Sequence, residues 1–199
     1  FVHGEAGSSQ EKKTVTGLQL NGPIGANGWS ALTWGGETGG LSLVQEGRAG
    51  IYYGPHELSA VFRPGKSPYR FGSALYPFTG AWQEANLKRY SEVLAHPFLA
   101  VQTGEHAGRL PKMHSLIQVV PENVMLGSVR WDPDHRGVLL RLWETADRAS
   151  RTEITVGSTI LAAEEITLLE EGSIPLEYGN RAVTIPMGAS QVKTVRVSY

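Results

Sequence analysis

The chain has 199 residues, a length typical of one domain or of two small ones. It has no cysteine, which excludes disulfide scaffolds, thiol nucleophiles and cysteine-ligated metal sites. Eighteen Lys and Arg residues against 19 Asp and Glu residues leave a net charge of −1, without the basic surplus typical of nucleic-acid-binding proteins. With 24 glycines and 11 prolines, the composition favours a folded protein with many turns and short strands.

The first residues do not belong to a targeting signal. The chain begins with Phe1, and its first ten residues lack the basic and apolar stretches of a signal peptide, so we expect a piece of a longer chain. No apolar run approaches the roughly 18 residues that a membrane-spanning helix needs. We therefore expect a cytoplasmic, bacterial protein whose partners include neither a membrane nor a nucleic acid.

Period-two alternation of apolar and polar residues predicts most of the secondary structure. Strands are predicted at 41–44, 57–63, 116–120, 138–144, 152–156 and 195–199. In the fourth of these strands, the alternation places Val138, Leu140 and Leu142 on one face. Short strands separated by glycine and proline turns predict an antiparallel β-sandwich.

One stretch departs from the strand pattern. Leu87, Tyr90 and Leu94 recur at helical spacing, and Pro97 follows shortly after them. This spacing predicts a single short helix near residues 83–95.

A domain boundary is predicted in the second half of the chain. The apolar strand at 116–120 ends at a proline, and residues 131–137 contain the proline and glycine of a turn. We therefore predict a larger β-rich region over residues 1–126 and a small, self-contained β-sandwich over residues 127–199.

The sequence offers few candidates for metal chemistry. None of the six histidines lies four residues from another, the spacing by which a helix presents two zinc ligands. Asp132, Asp134 and His135 could form a metal cluster. Because Pro133 and Gly137 lie in the same short stretch, a polar hairpin turn is the favoured interpretation.

Candidates for hydrolytic chemistry are equally few. Glu164–Glu165 and Glu170–Glu171 are paired carboxylates, but adjacent residues on a strand face opposite ways, so neither pair can flank one glycosidic bond. Solvated edge or turn charges are the favoured interpretation of both pairs. The stretch Gly35–Gly40 lacks the Lys-Ser/Thr of a phosphate-binding loop and is predicted to be a hairpin loop.

Aromatic residues suggest a possible sugar-binding surface. Trp29 and Trp34 flank the glycine-rich stretch, and an indole face can stack on a pyranose ring. The alternative is that these tryptophans belong to the core or its rim, as most do in a sandwich. From the residues alone, the chain is an all-β protein without a complete active site.

Several segments carry a resemblance to one known family. They comprise residues 71–82, 97–101, 119–126, 140–144, 163–176 and 191–195. In order, they resemble F-x-Y-A-L-Y-P-H-x-G-x-W, a P-L-L-A-V-like strand, V-E-P-E-N-V-V-L, L-R-L-Y-E, E-T-N-L-L-E-E…P-L and E-I-K-T-L. This ordered set is similar to the C-terminal region of glycoside hydrolase family 38, the α-mannosidases.

The resemblance implies a fold and a parent activity. It implies a galactose-mutarotase-like supersandwich followed by a small terminal sandwich. In the family, the zinc ligands and the Asp nucleophile lie in a preceding catalytic domain. The implied parent is therefore a retaining, zinc-dependent enzyme that acts on terminal α-mannosides. For this chain the resemblance implies no catalytic residue, metal ligand or cofactor of its own, and the parent's catalytic domain as its partner.

One residue is carried over as a candidate for the substrate cleft. Arg63 ends the predicted strand at 57–63 as an arginine ends the family's L-L-R-S-P segment, and family enzymes use an arginine of this region at the cleft. A guanidinium can hold two hydroxyls through its fixed fork of donors. Because the loop after Arg63 is short, an ordinary surface arginine is the competing interpretation. Phe78 stands where the family usually has a histidine.

A stand-alone carbohydrate-binding β-sandwich is the alternative function. It would need no catalytic domain, so the length of the intact reading frame would distinguish the two interpretations.

Overall fold

The computed structural model describes part of the chain. Its backbone is described at residues 2–5, 8–11, 24–34, 38–53, 58–61, 72–105, 107–132, 134 and 136–199, and its side chains at 38–46 and at the described residues from 72 onward. Contacts divide the chain into two compact units, residues 1–98 with 145–147 and residues 99–144 with 148–199.

The first unit contains a six-stranded antiparallel sheet. Its strands are β1 (Val2–Glu5), β2 (Ser8–Glu11), β3 (Ile24–Trp34), β4 (Gly39–Tyr53), β5 (Leu58–Val61) and β6 (Ser73–Thr79). The order is β2-β1-β3-β4-β5, and β6 also pairs with β4. The register of β3 and β4 pairs Trp34 with Gly39 in an antiparallel ladder, and residues 35–37 of the predicted hairpin loop lie outside the described residues.

The predicted helix is confirmed. A 3-10 turn at Trp82–Glu84 precedes α1 at Leu87–Ala95, and α1 packs against β3 and β4. The side chains of Trp82 and Leu87 are buried with Phe78 in a small apolar cluster of this unit. Among the described residues, no helix is both long and apolar enough to cross a membrane.

The second unit is a sandwich of two antiparallel sheets. Its strands are β7 (Ile117–Val120), β8 (Val124–Asp132), β9 (Gly137–Glu144), β10 (Ser150–Val156), β11 (Ala162–Ile166), β12 (Ile174–Pro175), β13 (Glu177–Tyr178), β14 (Ala182–Met187) and β15 (Val192–Ser198). One sheet has the order β13-β14-β10-β7, and the other has the order β12-β11-β15-β9-β8. The all-β prediction, with a sandwich and one short helix, is therefore confirmed.

The apolar core of the second unit lies between its two sheets. Leu140 and Leu142 of β9 are completely buried and face Ile154 and Ile185 of the opposite sheet in one cluster. Val138 packs against the same cluster, so the face predicted from the alternation is confirmed. The burial of Val138, Leu140 and Leu142 fixes the register of β9, because a slip of one residue would turn these side chains away from the core.

The strand that the family resemblance implies at 97–101 is not among the described strands. The structure assigns neither helix nor strand there, and the side chains of Leu99 and Val101 are 96% and 81% exposed. A strand needs a hydrogen-bonding partner, and no described strand pairs with this stretch. Over residues 99–116, further apolar side chains are exposed at Leu110, Met113 and Leu116.

The boundary between the two compact units differs from the domain boundary that the sequence predicts. The unit division falls between residues 98 and 99, whereas the predicted boundary follows residue 126. β7 precedes that predicted boundary and pairs with β10, which follows it. The domain boundary itself stays a prediction.

Candidate functional site

The residues predicted to contact sugar lie largely outside the described part of the protein. Arg63 is not among the described residues. The backbones of Trp29 and Trp34 lie on β3, opposite Val44 and Gly39 of β4, but their side chains fall outside the described set. Their proposed roles therefore stay predictions.

The stretch from Asp132 to Gly137 joins two paired antiparallel strands, as its proline and glycine predict, while Pro133 and His135 lie outside the described residues. Asp132 pairs with Gly137 at the end of β8 and β9. The carboxylate of Asp132 accepts a hydrogen bond from Nε of Arg196 at 2.9 Å, while Asp134 is exposed. Among the described residues, no three His, Asp or Glu side chains come together as a metal site.

The adjacent carboxylates Glu164 and Glu165 each bind a different cation. Arg196 Nη1 lies 3.2 Å from Glu164 Oε2, and Lys193 Nζ lies 2.9 Å from Glu165 Oε2. Both cations are on β15, at positions of opposite parity, so the two carboxylates face opposite sides of the sheet. They cannot flank one bond, as the sequence predicts.

Both carboxylates were expected to be solvated, but they are ion-paired and only partly exposed. Arg196 also joins three strands, because its guanidinium binds Glu164 on β11 and Asp132 on β8. These contacts suit a structural role, since they join side chains of three strands of one sheet.

A completely buried carboxylate organises one end of the sandwich. Asn123 Nδ2 donates to Glu144 Oε1 at 2.8 Å, and the backbone N–H groups of Ser190 and Arg148 donate to Oε2 at 2.7 and 3.2 Å. Asn123 Nδ2 also lies 2.8 Å from Ser150 Oγ. A buried charge is tolerated only when hydrogen-bonded in this way. The arrangement, here named the Glu144 network, joins the residue before β8 to β9, β10 and the turn before β15.

The Glu144 network links two of the segments that resemble the family. Asn123 comes from the stretch at 119–126, and Glu144 ends the stretch at 140–144. Arg148 contacts Glu144 through its backbone N–H, and its side chain reaches Asn123 Oδ1 at 3.5 Å. These family-like residues therefore hold the sandwich together, and sequence reasoning did not identify them as partners.

A groove of about 540 Å³ opens on the same unit. Its lining comes from the start of β10, the end of β14 and the chain from β12 to β13. It contains Ala149, Ser150, Arg151, Pro175, Leu176, Glu177, Thr184, Pro186 and Met187. Arg151 Nη2 lies 3.3 Å from Glu177 Oε2, and both side chains are exposed. The volume is within the roughly 300–1,000 Å³ of small-molecule sites, and no motif in the sequence marks the groove.

Two stacked tyrosines support the first unit. The rings of Tyr76 on β6 and Tyr90 on α1 have centroids 4.2 Å apart and planes tilted by 34°. A hydrogen bond to Tyr90, with burial as the second cause, raises the pKa of Tyr76 above its ordinary value. Burial alone raises the pKa of Tyr199.

The raised pKa of Tyr76 predicts a loss of stability in alkaline solution. The unfolded chain ionises Tyr76 near the ordinary tyrosine pKa of about 10, whereas the folded chain keeps it protonated to higher pH. The stabilising contribution of Tyr76 is therefore complete below the pKa of the unfolded chain, and it is lost as the pH rises through the pKa of the folded chain. Between pH 9 and 11, about one unit on either side of the ordinary tyrosine pKa, we expect the free energy of unfolding to fall less in the Tyr76→Phe variant than in the unmodified chain. Urea unfolding across this range measures it, and equal losses in both proteins would show that Tyr76 is not linked to folding.

Comparisons with known proteins agree with the geometry of the second unit. Residues 123–195, which include most of the sandwich, match the family model described as glycosyl hydrolases family 38 C-terminal beta sandwich domain. The segment at 123–195 is therefore similar to the antiparallel β-sandwich domain that this family model describes. The predicted resemblance to the C-terminal region of glycoside hydrolase family 38 is confirmed.

A solved structure extends the likeness to nearly the whole chain. The chain is similar to an α-mannosidase from Enterococcus faecalis V583, with a TM-score of 0.62 and 12% sequence identity. The alignment covers 98% of this chain and 24% of that chain, so this chain spans about a quarter of the length of that enzyme. At this identity the likeness shows a shared fold. No curated protein matches the sequence.

Proposed function

We propose that this chain is the non-catalytic C-terminal region of an α-mannosidase-type glycoside hydrolase. In this role it packs on a catalytic domain and forms part of the wall of its cleft. The observation that supports the proposal most directly is the family match over residues 123–195, which falls on the sandwich. The parent enzyme would hydrolyse terminal α-mannosides with retention, and its zinc would be held by the catalytic domain.

The exposed apolar stretch at 99–116 supports a packing role. Leu99, Met113 and Val101 are 96%, 90% and 81% exposed, and the described residues of this stretch form neither helix nor strand. Large exposed apolar side chains concentrated in one segment are typical of protein contact surfaces. We propose that the catalytic domain covers this segment in the parent enzyme.

The chemistry of the described carboxylates supports a non-catalytic role. Glu164, Glu165 and Glu170 are each ion-paired within the sandwich, and Glu144 is buried beneath backbone donors. A glycosidase carboxylate must instead reach the scissile bond.

The purified 199-residue chain is expected to leave aryl α-mannosides unhydrolysed, with or without added zinc. The reason is that the catalytic carboxylate and the zinc ligands of the proposed parent lie outside it. Release of 4-nitrophenol from 4-nitrophenyl α-mannoside measures the activity. Zinc-dependent turnover that is removed by a chelator would contradict the proposed division of roles.

Arg63 is the proposed contribution of this chain to the cleft. In the parent enzyme, Arg63→Ala is expected to lower kcat/KM by about 10–100-fold, because the lost guanidinium would bind substrate hydroxyls in the transition state. The melting temperature should stay unchanged, and Arg181→Ala, at an exposed position of the sandwich, serves as the control. Unchanged kinetics would identify Arg63 as a surface residue, and a large fall in melting temperature would identify it as structural.

A further inference from the structure

The groove on the second unit exists because one strand changes sheets. Ile174–Pro175 pairs with β11 in the five-stranded sheet, and Glu177–Tyr178 pairs with β14 in the four-stranded sheet. Leu176, between them, donates its N–H to Ala163 O at 2.9 Å. Because the chain crosses from one sheet to the other here, the described strands leave the β13 side of β14 unpaired along Pro186 and Met187, which pair with β10 on the other side. The space that results is the groove.

The open edge of β14 is unsuited to an added strand. Ala182 O accepts a hydrogen bond from Gly179 N at 2.8 Å, so the polar backbone groups of Ala182 face the β13 side. By strand alternation, those of Thr184 and Pro186 face the same side. Proline has no N–H, so Pro186 presents only its carbonyl to the groove. An extended peptide would therefore lack a donor at this position of the ladder.

The charges of the groove favour an uncharged ligand. Arg151 and Glu177 are the charged residues in the lining, and they neutralise one another across a 3.3 Å contact. Exposed ion pairs of this kind contribute little to stability. The guanidinium and the carboxylate can therefore hydrogen-bond to a ligand with little loss of free energy. A strongly charged ligand would have to displace one partner and repel the other.

The remaining lining combines hydroxyls with aliphatic surface. Thr184 provides a hydroxyl group, and so does Ser150, whose Oγ also accepts a hydrogen bond from Asn123 Nδ2. Leu176 and Pro186 provide apolar contact, and Met187, which is only 2% exposed, borders the groove from the core. A pyranose has the matching chemistry, because its hydroxyls can bond to the rim while its C–H face lies on the apolar floor. Without an aromatic ring in the lining, such binding would be weak.

From this match of charge, polarity and size, we infer that the groove is a secondary binding site for a neutral sugar residue. This inference rests on the proposed function, since a glycosidase would supply the ligand class. It places the site on the sandwich of the C-terminal region, formed by residues 149–151, 175–177 and 184–187. Its use would be to hold a distant part of a glycan chain.

The three methionines of the chain allow a direct test. Met187 lines the groove, whereas Met113 lies in the exposed segment and Met125 lies on β8. With the methionine methyl groups ¹³C-labelled in the 199-residue protein, methyl α-D-mannopyranoside is titrated. The Met187 resonance is expected to shift and to saturate in the millimolar range, while those of Met113 and Met125 stay in place.

Variants of the rim make the test specific. Arg151→Ala and Glu177→Gln are each expected to weaken the binding seen at Met187 about fivefold, the loss of roughly one hydrogen bond. Arg181→Ala, outside the groove, should leave it unchanged. A Met187 resonance that does not move, or that moves equally with glycerol, would overturn the inference.

The same titration also tests whether a second copy of the chain, and not a sugar, occupies the groove. A Met187 resonance that moves with protein concentration and not with sugar would place a second copy in the groove, and would also overturn the inference. None of these results depends on catalytic activity, so failure of the sugar site would be distinguishable from failure of the proposed function.

Discussion

Replacing Glu144 by alanine is expected to lower the free energy of unfolding by about 3–5 kcal/mol. The side chain is completely buried, and it accepts hydrogen bonds from Asn123, Arg148 and Ser190. Removal of the carboxylate would leave these donors without their acceptor in a site that water does not reach. Each buried donor that is left without an acceptor costs about 1–3 kcal/mol of stability, and relaxation of the surrounding structure would recover part of this loss.

The role of the Glu144 network can be separated from a general effect of losing a glutamate. Glu153 is exposed on β10, so Glu153→Ala is expected to change stability by less than about 0.5 kcal/mol. Glu144→Gln keeps one acceptor oxygen and should fall between the two. Urea titrations of the three variants provide the comparison. If Glu144→Ala costs no more than Glu153→Ala, the carboxylate does not organise this end of the sandwich.

The second large effect is expected at Leu140. This side chain is completely buried on β9 and belongs to the core between the two sheets. Leu140→Ala should cost about 2–5 kcal/mol, from the lost burial of the removed atoms and from the cavity that they leave. The same urea titration measures the loss.

A leucine on the surface provides the matched control for Leu140. Leu161 is 69% exposed, so Leu161→Ala is expected to change stability by less than about 0.5 kcal/mol. Equal, small losses at both positions would mean that the face of β9 assigned to the core is wrong.

Local patterns in the sequence are sufficient to predict many elements of this fold. The alternation in β9 predicts its buried face, because burial on one side of a sheet repeats every second residue. The spacing of Leu87 and Leu94 predicts α1 for the corresponding reason in a helix. Both predictions are confirmed because the residues that decide them are close together in the chain.

Features that depend on distant residues could not be predicted in the same way. The sequence places Glu144 at the end of a predicted strand but does not show which residues surround it. Its burial depends on Asn123, 21 residues away, and on Ser190, 46 residues away. The family resemblance implies a strand at 97–101, but a short apolar segment does not show whether another strand is available to pair with it, and the structure has no strand there.

The groove illustrates the same limit for a candidate site. It arises where the chain between Ile174 and Tyr178 leaves one sheet for the other. No motif marks this change, and Arg151 meets Glu177 across 26 residues of sequence. By contrast, the family resemblance could be identified from short segments, because their order along the chain is itself informative.

The central claim, that this chain supports a separate catalytic domain, is tested most directly by reconstitution. The 199-residue protein is titrated into the separately produced remainder of the parent enzyme, and zinc-dependent hydrolysis of 4-nitrophenyl α-mannoside is measured. We predict that the chain alone is inactive, and that activity of the mixture rises with added chain and saturates at one equivalent. Activity of the remainder that is already complete and does not change when the chain is added would contradict the claim.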